Sequence, residues 1–143
     1  MILGRALAVT GALLIGSSVA SPLADAQGKA AEWLKAHYSA QERGECLSSS
    51  CPVAKGWKLM SIASTPDAIV IAFSSPRPAP QANLQSFRAM PAQEKENTIR
   101  TLCPYAGFEV WQILPANYVI RVSVSDAAAG LIGEATCSRR ITY

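Results

Sequence analysis

The side chains able to do chemistry in this sequence are few: one histidine, His37, four cysteines, Cys46, Cys51, Cys103 and Cys137, and two acids in matched settings, Glu42 and Glu94. Nucleophilic hydrolysis of the Ser-His-Asp kind needs a base, and His37 is the one histidine to supply it. No serine lies in the Gly-x-Ser-x-Gly setting that strains a nucleophile into reach, and a lone histidine on a leading helix is expected to face solvent. Zinc needs three or four convergent ligands, and Cys46 and Cys51 have no matching Cys or His pair. There is no Cys-x-x-Cys redox motif and no phosphate-cradling glycine loop, and no cofactor is expected.

Glu42 and Glu94 could form an acid-base pair only in an environment that drives their pKa values apart. Nothing nearby in the sequence calls for one. Each reads instead as an acid in the first turn of a helix, where it complements the dipole. Cys51 and Cys103 each precede a proline and follow a helical segment. A helix C-terminus raises a thiol pKa and so disfavours a reactive thiolate. All four cysteines are therefore read as disulfide partners.

That reading fits the compartment. Arg5 precedes an apolar and small-residue run from Ala6 to Ala20, followed by small residues around Pro22, the order of a secretory signal peptide. The run is short of the roughly 20 strongly apolar residues of a membrane span, so an uncleaved anchor is the weaker reading. Two positions satisfy the small-x-small rule, after Ala20 and after Ala26. The second is favoured because Ala24-Asp25-Ala26 is the cleaner match and Pro22 precedes it as a helix breaker. Residues 1–26 are thus read as a cleaved signal and 27–143 as one domain, periplasmic or secreted, with no stable membrane anchor. Loss of Arg5 and Asp25 leaves the formal net charge at +3. The remaining basic residues are scattered, Arg139-Arg140 reads as a solvated tail, and nucleic acid is not an expected partner.

The chain resembles itself. Ala40-Gln41-Glu42-Arg43 followed by Cys51-Pro52-Val53-Ala54 recurs at the same spacing as Ala92-Gln93-Glu94-Lys95 followed by Cys103-Pro104-Tyr105-Ala106. With one residue dropped, Gly56-Trp57-Lys58-Leu59 aligns with Gly107-Phe108-Glu109-Val110, and Ile69-Val70-Ile71 lies against Val119-Ile120-Arg121. Two repeats follow, about 28–74 and 81–125, with a C-terminal tail.

Each repeat reads as helix, strand, strand. Gly28 to Tyr38 has Ala31, Leu34, Lys35 and Tyr38 on one side, and Ser39-Ala40-Gln41-Glu42 fits a capping box that starts a second helical segment. Trp57 to Ala63 and Ala68 to Phe73 flank the turn signal Thr65-Pro66-Asp67 and suggest a hairpin. The proline-rich stretch from Ser74 to Pro80 reads as a stiff linker. Pro91 opens a helix that runs to about Leu102, and Phe108 to Leu114 with Tyr118 to Val124 forms the second expected hairpin. In the tail, Asp126 is placed to cap a turn through Ala129, and Ala135 to Cys137 to extend a sheet edge.

The predicted fold is therefore α+β: two αββ repeats forming a four-stranded antiparallel sheet with helices packed on one face and approximate two-fold symmetry. Four cysteines allow three pairings. The preferred one joins Cys46 to Cys51 and Cys103 to Cys137. Along the last strand of the second repeat, Tyr118, Ile120, Val122 and Val124 face one way and Val119, Arg121 and Ser123 the other, so one sheet face is left available.

Function falls to the surface. Trp57 and Trp111 occupy core slots in the repeat alignment, whereas Trp33 has no apolar counterpart in the second repeat. Trp33, Tyr38 and Arg121 are the candidate partner-binding residues, since aromatic and arginine side chains are the commonest interface anchors. The expected function is a non-catalytic protein-interaction module, a monomer, bound to another envelope or secreted protein through its open sheet face, its leading helix or an edge strand. The alternatives are a small-ligand-binding protein, which needs a pocket between sheet and helices, and an enzyme without a local motif.

Overall fold

The computed structural model describes residues 21–43, 45, 57–75 and 80–139. Residues 1–20 of the expected signal segment, Cys46, Cys51, prolines 76 and 78, Arg140 and Tyr143 lie outside the described residues, whereas residues 21–26 of that segment are described and belong to the start of α1. The elements run α1 (Pro22–Glu42), β1 (Lys58–Ser64), β2 (Ala68–Ser75), α2 (Gln81–Ala89), α3 (Ala92–Arg100), α4 (Val110–Ile113), β3 (Val119–Asp126) and β4 (Gly130–Cys137).

Helix α1 starts where its sequence satisfies free amides. The Ser21 hydroxyl accepts from the Ala24 amide at 3.2 Å, Pro22 takes the first turn, and Asp25 pairs with Lys29 at 2.9 Å. The buried stripe is Ala30, Leu34, Tyr38 and Gln41, at spacings of four, four and three. It runs straight through Ser39, so the expected break and capping box are absent: continuous burial on one face outweighs a local capping option. Pro22 does not break the helix but begins it. Glu42 correspondingly lies in the last turn of α1 rather than a first turn, whereas Glu94 does sit in the first turn of α3.

The first hairpin forms as predicted. Thr65 closes its turn, its amide donating to the Ala68 carbonyl at 2.8 Å and its hydroxyl oxygen accepting from the Ala68 amide at 3.0 Å. β1 carries a bulge between Leu59 and Ser61. The second hairpin differs from the prediction. Residues 108–114 form turns and α4, because Val110, Trp111 and Leu114 are all buried at helical spacing. Strand β3 pairs instead with β4, recruited from the tail through a turn in which the Asp126 carboxylate accepts from the amides of Ala128 and Ala129 at 2.9 and 3.0 Å. Gly130 closes this turn at φ 72°, a conformation that L side chains rarely adopt.

The sheet order is β1-β2-β3-β4, with β1–β2 and β3–β4 antiparallel and β2–β3 parallel. The predicted all-antiparallel sheet is corrected to a mixed one. The chain between β2 and β3 passes through three helices before returning, and a crossover of that length delivers a parallel neighbour. The repeat survives only as helix followed by hairpin, twice, since β1 aligns in sequence with the segment that became α4.

Three rows cross the sheet on its covered face: Leu59-Phe73-Val124-Gly133, Ile62-Ile71-Val122-Ala135 and Ser64-Ile69-Ile120-Cys137. Against them pack Ala30, Leu34 and Tyr38 of α1, Ile99 of α3 and Val110 and Trp111 of α4. Each fully buried aliphatic side chain of this kind contributes about 1.5–3 kcal/mol. Gly133 lets α3 sit close, since a Cβ there would lie 2.8 Å from Ile99 Cδ1. Cys103 and Cys137 are bonded, as predicted, with Cα atoms 5.6 Å apart, and tie the end of the α3 segment to the edge strand β4.

Candidate functional site

The second face of the sheet carries two complete rows, Ala63-Val70-Arg121-Thr136 and Ser61-Ala72-Ser123-Glu134. The alternation that buries the covered rows turns these side chains the other way. None of the eight is buried, and Ser61, Ala63, Arg121, Glu134 and Thr136 are exposed. The face is built of small and β-branched groups, with one cation and one anion on adjacent strands. Arg121 reaches the Asp67 carboxylate at 3.3 Å in a solvent-exposed pair that contributes little to stability. The Asp67 carboxyl titrates below its ordinary value, first because the Thr65 hydroxyl donates to it at 2.9 Å and further because of Arg121.

The sheet edges are guarded. At β1, the Leu59 amide donates to Glu42 Oε1 at 2.9 Å; at β4, Arg100 Nε donates to the Thr136 carbonyl at 3.2 Å. Charged side chains at edge-strand main-chain groups are a known obstacle to strand addition. Glu42 is thus an edge cap, and it shares no hydrogen bond with Glu94 among the described residues.

The leading helix places its candidates unequally. Trp33 is half-buried, stacked on His37 with ring centroids 4.8 Å apart and 5.6 Å from Phe108. Tyr38 is not a surface residue. It is buried against Phe73 and donates to the Leu102 carbonyl at 2.5 Å, so the core claims it. Burial pushes its hydroxyl pKa well upward. His37 does not face solvent either: it packs among Trp33, Tyr38 and Phe108 and meets the Gln41 amide at 2.7 Å. Desolvation lowers its pKa. Arg139, read as part of a solvated tail, caps α4 by donating to the carbonyls of Trp111 at 2.7 Å, Leu114 at 3.1 Å and Pro115. The helix period of α1 could have found His37, since it lies four residues from both Trp33 and Gln41.

A cavity of about 220 Å³ opens between α2, α3 and the sheet. Trp57, Leu84, Phe87, Ile99, Leu102, Val124 and Ile132 give it an apolar wall, with Asn83, Thr98 and Thr101 as its polar members. Its volume is below the roughly 300–1,000 Å³ usual for drug-sized ligands. Among the described residues no three His, Cys, Asp or Glu side chains cluster as metal ligands would.

No protein-family model matches this chain, and no curated protein or solved structure is found to be similar to it.

Proposed function

We propose that the protein is a small exported domain that acts without chemistry of its own, as an interaction module for another envelope or secreted protein. The observation that carries this reading is the two-row open face around Arg121 and Ser123, on which none of the eight side chains is buried among the described residues, while the described helices pack on the opposite side. A face of small side chains lets a partner approach the backbone closely, and the Arg121–Glu134 diagonal sets an orientation through complementary charge. The guarded edges favour the face over β-addition. Trp33 lies on the other side of the sheet and supports the core rather than the contact. The test is crosslinked affinity capture of the mature protein from an exporting host. One partner at near-equal amount, lost on Ala72→Arg, supports the module; a partner retained equally by Ala72→Arg contradicts the assigned face.

A second reading is favoured by the cavity between α2, α3 and β4. Its apolar wall and three polar members suit a small aromatic or short aliphatic molecule. Titration with indole, followed by two-dimensional NMR, would show saturable shifts at Leu84 and Ile132 if the cavity binds, and none if it is only a packing void.

A further inference from the structure

We infer that the signal peptide is cut after Ala20, so that the mature chain begins at Ser21 and not at Gln27. The inference rests on the export reading. Both sites satisfy the small-x-small rule, with Ser18 and Ala20 at the first and Ala24 and Ala26 at the second. The folded chain separates them. Gln27 lies in the second turn of α1, and its side-chain amide donates to the Thr65 carbonyl at 3.0 Å and to Tyr118 Oη at 2.8 Å. It thereby joins the leading helix to the first hairpin turn and to the start of β3. Cleavage after Ala26 would make Gln27 the N-terminal residue. The free α-amino nitrogen of a terminal glutamine attacks its own Cδ: the N–Cδ bond forms, the Cδ–Nε2 bond breaks, and ammonia leaves. The nitrogen lost is the one that makes both hydrogen bonds.

The helix end points the same way. Residues 21–25 are exposed, and the first buried residue of α1 is Ala30. With Ser21 as the first residue, the unsatisfied amides at the helix start fall on exposed positions, and the Ser21 hydroxyl answers one of them. With Gln27 first, those amides would be residues 27–30, and fraying would reach the core at Ala30.

The test expresses residues 1–143 in an exporting bacterium and reads the N-terminus of the exported protein by intact mass and N-terminal sequencing. A mature chain starting at Ser21 is expected, with the precursor accumulating in Ala20→Phe and normal processing in Ala26→Phe. A mass starting at Gln27, or at its cyclised form, overturns the inference while leaving export intact. An uncut chain starting at Met1 in the wild type overturns the export reading itself.

Discussion

Arg139 lies over the indole of Trp111, with 5.3 Å between its guanidinium carbon and the ring centroid, and the same side chain donates to the Trp111 main-chain carbonyl. One residue just beyond β4 thus holds both the ring and the end of α4. Arg139→Ala removes the cation–π contact and orphans helix-end carbonyls, and should cost about 1–3 kcal/mol in chemical denaturation. Arg139→Lys should recover part of that loss, because an ammonium cannot span several carbonyls as the planar fork does.

Tyr118 Oη shares its single proton between the carbonyls of Thr65 and Ala68, at 2.5 and 2.7 Å, and accepts from Gln27. Tyr118→Phe removes these bonds while Gln27 still donates to the Thr65 carbonyl and the Thr65 amide to that of Ala68, so a loss of about 0.5–1.5 kcal/mol is expected in chemical denaturation. A double-mutant cycle with Gln27→Ala should show non-additivity, since the two side chains share one network.

The Cys103–Cys137 bond closes a loop of sequence separation 34. Replacing both by serine should lower stability by about 2–4 kcal/mol, chiefly by releasing the unfolded chain. Equilibrium unfolding of the double variant, compared with wild type under oxidising conditions, measures it.

Burial holds the His37 pKa below its ordinary 6.5. The unfolded chain then binds more protons than the folded one between the folded pKa and 6.5. Stability from the neutral ring is therefore complete above 6.5 and declines as pH falls toward the folded pKa. Denaturation midpoints measured from pH 7.5 down to pH 5 should fall, and His37→Phe should flatten that part of the profile.

Where one element's own pattern decides its structure, the sequence was legible. Alternation along residues 118–124 by itself places Arg121 on the open face, and Pro91 marks the start of α3 to within a residue. The pairing of Cys103 with Cys137 was preferred as a tie between the tail and the second helix, and the bond is present. What escaped was decided by tertiary packing. Phe108, Val110 and Trp111 suit a strand as well as a helical turn, and burial of Val110, Trp111 and Leu114 against α1 and the sheet chose the turn. Helix α2 buries only Leu84 among its residues, so it carries little periodic signal. Tyr38 was offered as a partner-binding residue for its aromatic type, although the helical spacing already set it on one side with Leu34, and that is the side that is buried. The parallel β2–β3 pair depends on which strands meet, and no local pattern encodes that.

The central claim is that the face around Ser123 contacts a partner. A photoreactive amino acid placed at Ser123, and separately at exposed Gln93 on α3, tests it most directly in the exporting host. The account predicts a discrete, higher-mass adduct from Ser123 and none from Gln93. An adduct from Gln93 alone, or none from Ser123, would contradict it.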